Sequence, residues 1–214
     1  KKINDTPRIG LINGLYASIH SRGGITLIQT FEKYAEKNFS LEITGQQGDV
    51  MKESIHVAFT IAWHILKDSF QQEFLEKNKN FGIHLHCPET ATPKDGPSAG
   101  AAITTSIISL YTNTAITNTC AMTGEIDLHG NVMRIGGLSA KLEGARCAGV
   151  KTVLIPETNR SDYEKIKKYE KGFVEDESFK VICVKTIYDV FPHMFSTNLS
   201  EVMNKIKSKD EYFI

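Results

Sequence analysis

Hydrophobic residues recur along this chain with two periods, and the two periods together predict a mixed α/β fold. Runs rich in β-branched and aromatic residues predict short strands at residues 10–16, 24–30, 41–44, 82–86, 152–155 and 180–184. A helical period predicts helices at about 50–67, after Pro97, after Gly137, and near Tyr188 and Val202. We therefore expect an α/β (α+β mixed) chain with short strands in small sheets packed with helices.

Turn and cap signals add detail to these predicted strands and helices. The first three strands are expected to form a meander, and Asp49 is a plausible cap for the helix at 50–67. A hairpin is predicted with arms at 120–126 and 132–135, joined by a His-Gly-Asn turn at 129–131. A capping box from Ser161 to Glu164 is expected to open a further helix.

Lys141 places a cation in the apolar stripe of the short helix after Gly137. The residues that share this face are Leu138, Lys141, Leu142, Ala145 and Ala148. A lysine there either extends its ammonium to solvent or does chemistry. Free lysine has a pKa near ~10.4, and burial that lowers the pKa by roughly three units would make Lys141 a competent base.

The best proton donor for such a base is Ser98. Two prolines and a glycine constrain the loop before it, and small residues followed by isoleucines predict a buried helix after it. Free N–H groups and the positive end of the helix dipole at this position suit an oxygen that gains negative charge. The plainer interpretation is that Ser98 is an N-cap.

Two motifs then resemble those of the Lon proteases. The run Pro-Lys-Asp-Gly-Pro-Ser-Ala-Gly at 93–100 resembles their nucleophile motif. Thr-Gly-Glu at 123–125, Gly-Gly-Leu at 136–138 and Lys141 resemble the second motif, and Ser98 and Lys141 stand 43 positions apart, as in that family. The similarity extends through residues 45–54 and 149–156 and covers roughly residues 8–195.

The resemblance implies a serine endopeptidase with a Ser–Lys dyad. In that mechanism Ser98 attacks the scissile carbonyl, and Lys141 takes its proton and later returns it to the leaving amine. The family also implies that Thr123 orients the lysine amine, as a supporting and not a catalytic residue; the alternative is that Thr123 is only the last residue of a strand. Asp95 either holds Lys141 charged, which would favour an inactive state, or forms an Asx turn, which is the favoured interpretation.

The chain departs from the family pattern at a few positions. Thr90 stands where glycine is expected, Cys87 where valine is expected and Gln47 where leucine is expected, and Ser139 and Ala140 replace a usual Lys-Glu pair. None of these changes removes the nucleophile or the base. The threonine puts the conformation of the catalytic loop in question.

The resemblance further implies an assembly. Lon proteolytic domains form hexameric rings around an inner chamber, and an ATPase module lies N-terminal to them. These 214 residues contain no Gly-x-x-x-x-Gly-Lys-Ser/Thr phosphate loop, so ATP and Mg²⁺ are expected in that other module and no cofactor in this one. The whole chain, 1–214, is thus expected to be one Lon-type proteolytic domain, and its initial lysine fits a piece of a longer polypeptide.

Composition bounds the partners and the compartment. With 25 basic and 25 acidic residues, the chain has no net field that would attract nucleic acid or an anionic membrane. Unfolded proteins or peptides are the expected substrates. The stretches at 48–54 and 83–86 are closer to mitochondrial than to bacterial Lon, which favours the mitochondrial matrix over a bacterial cytoplasm.

The cysteines and histidines offer weaker signals. Cys87, Cys120, Cys147 and Cys183 have no paired spacing and are expected to be buried free thiols. His84 and His86 share one face of a strand, but a second pair of metal ligands is missing, so no metal site is predicted.

Two other functional classes remain as alternatives. A Pro-Ser-Ala-Gly loop that opens a helix suggests a phosphate-binding small-molecule kinase, although this leaves Lys141 without a role. A non-catalytic interaction module of the same fold is the other alternative, and the presence of both Ser98 and Lys141 argues against it.

Overall fold

The computed structural model describes residues 2–18, 20, 22–88, 95–170 and 176–212 of the chain. Its strands are β1 (Leu11–Ala17), β2 (Gly23–Tyr34), β3 (Ser40–Thr44), β4 (Phe81–His86), β5 (Cys120–Met122), β6 (Glu125–Ile126), β7 (Val132–Met133), β8 (Thr152–Pro156) and β9 (Lys180–Val184). Its helices are α1 (Asp49–His64), α2 (Asp68–Lys77), α3 (Gly100–Thr112), α4 (Leu138–Cys147), α5 (Arg160–Tyr169), α6 (Ile187–Met194), α7 (Leu199–Met203) and α8 (Lys209–Tyr212).

Seven of the strands form one mixed sheet in the order β3-β4-β2-β1-β5-β8-β9. The pairs β1–β2 and β2–β4 are antiparallel, and the other pairs are parallel. The mixed α/β class is confirmed, but most strands join one large sheet where small sheets were expected. The predicted meander is wrong for β3, because β4 lies between β2 and β3.

Helices cover both faces of this sheet. Side chains alternate between the two faces of a strand, so neighbouring residues of one strand enter different cores. Met122 and Leu154 pack with α1, α3 and α6 on one face, whereas Ala121, Val153 and Ile155 pack with α4 and α5 on the other. The ends of β5 and β8 therefore lie between the helix that follows Ser98 and the helix that carries Lys141.

The predicted hairpin at 120–135 is divided in the structure. β5 belongs to the large sheet, and the separate two-stranded hairpin consists of β6 and β7 only. The residues between β5 and β6 are Thr123 and Gly124, which turn the chain out of the large sheet. This turn brings Thr123 to the end of β5, next to the candidate site.

Three helix predictions need correction. The helix expected at 50–67 ends at His64, and α2 follows it as a separate, mostly polar helix that the periodicity did not indicate. Gly48, and not Asp49, is the N-cap of α1. The capping box expected at Ser161 is absent from α5, which begins at Arg160 without a side-chain cap.

None of the helices among the described residues has the length and apolar character needed to cross a membrane.

Candidate active site

Ser98 lies in a short 3₁₀ turn, Pro97–Ala99, that runs directly into α3. The residue at the N-cap position of α3 is Ala99, and neither the turn nor the helix has a side-chain cap. The interpretation of Ser98 as an N-cap is therefore wrong. Ser98 is half-buried, and its side chain remains available for another role.

Lys141 lies on the buried face of α4. Only 4% of its surface is exposed, and the other members of its predicted stripe are buried as well. The stripe is confirmed, and a lysine that reaches solvent is excluded. α4 packs unusually closely on the start of β2, because a Cβ placed on Gly144 would lie 2.2 Å from the backbone of Gly23.

Thr123 joins these two residues. The Lys141 amine donates a hydrogen bond to Thr123 Oγ1 at 3.1 Å, and Thr123 Oγ1 donates to the main-chain oxygen of Ser98 at 3.3 Å. The same Ser98 oxygen accepts a hydrogen bond from Gly124 N at 2.7 Å. Thr123 itself is completely buried, and its N–H donates to Leu154 O in β8 at 3.1 Å. The structure thus brings Ser98, Thr123 and Lys141 together at the end of β5.

Burial changes the chemistry of the Lys141 amine. It lowers the pKa of Lys141 to about 8, because the buried environment penalises the charged ammonium. With that pKa, roughly a tenth of the molecules carry the neutral amine at pH 7. Lys141 is therefore able to accept a proton near neutral pH.

Asp95 has neither of the roles expected from the sequence. Its Oδ1 accepts hydrogen bonds from Met51 N at 3.0 Å and from Gly96 N at 2.9 Å. An Asx turn would need the N–H of the residue two positions on, and that residue is Pro97, which has none. The described ion pairs do not include one between Asp95 and Lys141.

Instead, Asp95 caps α1 from outside the helix. Met51 is the third residue of α1, and its N–H is one of the donors that have no partner within a helix. The carboxylate lies so close to the N-cap residue Gly48 that a Cβ there would be 2.4 Å from Asp95 Cγ. The loop that leads to Ser98 is therefore attached to the first turn of α1.

Ser54 is a site residue that sequence reasoning did not single out. This buried residue of α1 donates from Oγ to Pro97 O at 3.4 Å, on the peptide directly before Ser98. A Cβ on Gly100 would lie 2.8 Å from the same Oγ, so small residues at both positions permit the contact. The sequence signal was only that Ser54 belongs to the 45–54 stretch with family resemblance.

The first part of the nucleophile motif, including Pro93 and Lys94, lies outside the described residues, as does Thr90.

The histidine pair is engaged with a threonine. Thr44 Oγ1 lies 2.8 Å from His84 Nε2 and 2.7 Å from His86 Nδ1. The part of the chain that the structure describes contains no cluster of three or more side chains suited to hold a metal ion.

Only two of the four cysteines are buried as predicted. Cys87 and Cys120 are buried, and burial raises the pKa of Cys120 to about 11. Cys183 is half-buried in β9. Cys147 is exposed, because it lies at the last position of α4, on the side away from the buried stripe.

Comparison with known proteins shows which family this chain resembles. Residues 1–197 match the model of the Lon protease (S16) C-terminal proteolytic domain. The chain is 43% identical over 181 residues to a Lon protease homolog of Acanthamoeba polyphaga mimivirus, an alignment that covers 82% of this chain and 18% of that protein. It is also 43% identical over 177 residues to a mitochondrial Lon protease homolog of Candida glabrata, covering 82% of the chain and 16% of that protein.

Bacterial relatives are as similar. Lon protease 1 of Borreliella burgdorferi is 46% identical over 158 residues, which cover 73% of this chain and 19% of that protein. The chain thus contains a peptidase domain and belongs to the Lon protease family. It spans about a fifth or less of the length of these three relatives.

Proposed function

We propose that this chain is the serine endopeptidase domain of an ATP-dependent Lon-type protease, and that it hydrolyses peptide bonds of unfolded or damaged proteins with a Ser98–Lys141 dyad. One observation carries the proposal. The buried amine of Lys141 donates to Thr123, which is bonded in turn to the main chain of Ser98. The proposal thus assigns Ser98 and Lys141 catalytic roles and Thr123 and Asp95 supporting ones.

The reaction proceeds in two stages. In the first, Ser98 Oγ attacks the carbonyl carbon of the scissile peptide, and its proton passes to the neutral amine of Lys141. The resulting ammonium then protonates the leaving amine, so that the C–N bond breaks and an acyl-serine ester remains. In the second, Lys141 takes a proton from a water molecule that attacks the ester carbonyl. It returns this proton to Ser98 Oγ as the bond between Oγ and the acyl carbon breaks, so that the carboxylic acid product is released.

The surroundings of the dyad support this sequence. The positive end of α3 lies directly after Ser98 and favours the negative charge that develops during attack. Thr123 holds the Lys141 amine at one side of the nucleophile loop. Asp95 and Ser54 hold this loop from the α1 side through Met51 and Pro97.

The wider context of this activity is also part of the proposal. We infer an ATPase module elsewhere in the full protein, which binds ATP and Mg²⁺, and a hexameric ring as its assembly. The substrates are unfolded polypeptides, and this domain has no role in binding nucleic acid or membrane. Relatives named as mitochondrial support the mitochondrial matrix, with bacterial cytoplasm as the alternative.

The assignment is tested by trapping the nucleophile. The purified chain is incubated with a peptide electrophile that acylates serines, and the adduct is mapped by mass spectrometry. We expect one adduct on Ser98 that is lost in Ser98→Ala and in Lys141→Ala, together with cleavage of a short fluorogenic peptide that ATP does not stimulate. An adduct on another residue, or equal labelling of the Lys141→Ala chain, would refute the dyad.

A further inference from the structure

The linker into α4 has little conformational restraint of its own. Between β7 and α4 the chain runs through Arg134, Ile135, Gly136 and Gly137. Gly137 has a φ of 67°, in the left-handed region, and a Cβ on Gly136 would meet no heavy atom within 4 Å. Two consecutive glycines leave the backbone many alternative conformations. The position of α4 must therefore be fixed by contacts from outside the linker.

Asn159 supplies such a contact at the start of the linker. Its side chain is completely buried. Its Oδ1 accepts a hydrogen bond from Ile135 N at 3.0 Å, and its Nδ2 donates to Ile135 O at 3.0 Å. One amide side chain thus satisfies both backbone groups of Ile135, a two-point contact that we call the Asn159–Ile135 pair.

The orientation of the amide is itself fixed. Nδ2 also donates to Asp162 Oδ2 at 2.9 Å. The same carboxylate forms an ion pair with Arg134 at 2.6 Å, and Arg134 donates to Thr158 O at 3.0 Å. Arg134 is largely exposed, so its ion pair contributes less than the buried amide contacts.

The position of Asn159 in the chain explains why this matters for the site. Asn159 ends the 3₁₀ turn that directly follows β8. Leu154 of β8 accepts the hydrogen bond from Thr123 N. One segment of chain therefore sets the position of Thr123, through β8, and the start of α4, through the Asn159–Ile135 pair.

We propose that Asn159 is a positioning residue for peptide hydrolysis, which holds the start of α4 so that the Lys141 amine stays at Thr123 and beside Ser98. This inference rests on the proposed Ser98–Lys141 dyad. Asn159 does not touch the reacting atoms, and it acts only through the linker and α4. Its loss frees the glycine linker and lets α4 shift relative to β5.

The expected kinetic effect is on the reaction step. In Asn159→Ala we expect the rate of Ser98 acylation by the peptide electrophile to fall about 10- to 100-fold, since small displacements of a catalytic group have effects of this size. The concentration of electrophile that gives the half-maximal rate should change much less. The pH profile should also shift upward, because a displaced amine regains contact with water and its pKa rises towards the ordinary value for lysine.

A rescue variant separates positioning from loss of structure. Gly136→Ala adds a methyl group where the structure has open space, and it reduces the freedom of the linker. Alone it should leave the acylation rate within about twofold of wild type, because the native linker conformation is already populated. In the Asn159→Ala background it should recover part of the lost rate.

Asn13→Ala is the matched control. Asn13 is a second buried asparagine, and its Nδ2 donates to the main-chain oxygens of Asn118 and Cys120, both at 2.9 Å. Its loss removes one buried and one partly buried hydrogen bond away from the α4 linker. We expect lower thermal stability but an unchanged pH profile and acylation rate per folded molecule.

The experiment measures Ser98 acylation against pH for the wild-type chain and these variants, with the folded fraction determined by circular dichroism. If Asn159→Ala does not fold, Asn159→Ser replaces it, since serine is uncharged and is too short to reproduce the two-point contact with Ile135. The proposal predicts a slowed rate, a shifted pH profile and rescue by Gly136→Ala.

Two results would overturn the positioning role. One is an Asn159 variant with the wild-type acylation rate and pH profile. The other is an Asn159 variant whose lost acylation rate is not partly recovered by Gly136→Ala. Failure of the underlying dyad is recognised separately, because the wild-type chain would then not be acylated at Ser98.

Discussion

The amine of Lys141 and the hydroxyl of Thr123 are 3.1 Å apart, although they come from different elements of the fold. Lys141 comes from α4, and Thr123 follows the last residue of β5. Both are buried, so the hydroxyl is an acceptor for an ammonium that water scarcely reaches. This contact is the structural basis for assigning Lys141 a chemical role.

Removal of the Thr123 hydroxyl tests that contact. Thr123→Val keeps the shape of the side chain but removes the acceptor for Lys141 and the donor to Ser98 O. We expect peptide hydrolysis to fall about 10- to 100-fold. The pKa of Lys141 should also fall further, because the charged amine loses its partner, and the pH profile should move to lower pH.

Thr123→Ser serves as the conservative control, since it retains the hydroxyl. It should keep most of the activity and the wild-type pH profile. Equal losses in both variants would show that the packing of the whole side chain, and not the hydroxyl alone, sets the rate.

Replacement of Lys141 should stabilise the fold. Burial lowers the pKa of Lys141 from 10.5 to about 8, which means that the folded chain carries an unfavourable charge at pH 7. Lys141→Met should raise the free energy of unfolding at pH 7 by about 3 kcal/mol while it abolishes hydrolysis.

The sign of the pH dependence follows from linkage. Between pH 8 and 10.5 the unfolded chain retains a proton that the folded chain has released, so wild-type stability rises with pH in this window. The advantage of Lys141→Met should shrink over the same window, as measured by urea denaturation. The exposed Lys165 is the control, and Lys165→Met should show no such trend.

Asp95 is expected to act through α1. Asp95→Ala removes the acceptor for Met51 N and Gly96 N, and it should lower the free energy of unfolding by about 1 kcal/mol. Hydrolysis should fall as well, because the loop before Ser98 loses its attachment. Asp95→Asn keeps an acceptor oxygen, so its stability and its rate of hydrolysis should lie between those of the wild type and of Asp95→Ala.

Asp49→Asn is the comparison for this effect. Asp49 is in the first turn of the same helix, but its carboxylate is fully exposed. It should change stability by at most a few tenths of a kcal/mol. If Asp49→Asn lowered the free energy of unfolding as much as Asp95→Ala, the loss of negative charge at the start of α1 would explain both effects. The hydrogen bonds that Asp95 accepts would then not be the cause.

Substitution of the Tyr111 hydroxyl should change stability and leave peptide hydrolysis unaffected. It is buried and has no hydrogen-bond partner in the described part of the chain, while the ring packs against Trp63 and Phe74. Tyr111→Phe should therefore raise the free energy of unfolding by about 1 kcal/mol, as measured by chemical denaturation. Tyr188→Phe should do the opposite, because the Tyr188 hydroxyl donates to Lys207 O at 3.1 Å.

The local pattern of hydrophobic residues predicted well the features that depend on one helix or strand alone. The strand at 180–184 agrees with β9, and the apolar stripe around Lys141 is buried as its spacing indicated. α2 was missed because it is mostly polar and buries only Phe74, so few of its residues signal a core-facing helix.

Pairing between distant segments could not be read from the sequence. β4 inserts between β2 and β3 although it follows both in the chain, and no local signal encodes that choice. The same holds around the nucleophile loop. Asp95 and Pro97 contact residues of α1 that are 44 and 43 positions away, and these contacts arise only from the packing of α1 against the loop.

The most direct test of the Ser98–Lys141 dyad is the rate at which the peptide electrophile acylates Ser98 as a function of pH, in the wild-type and Lys141→Met chains. The dyad predicts a wild-type rate that rises with an apparent pKa of about 8 and a Lys141→Met rate that is at least about 100-fold lower and nearly independent of pH. A Lys141→Met chain that is acylated at Ser98 with the wild-type rate and profile would contradict it.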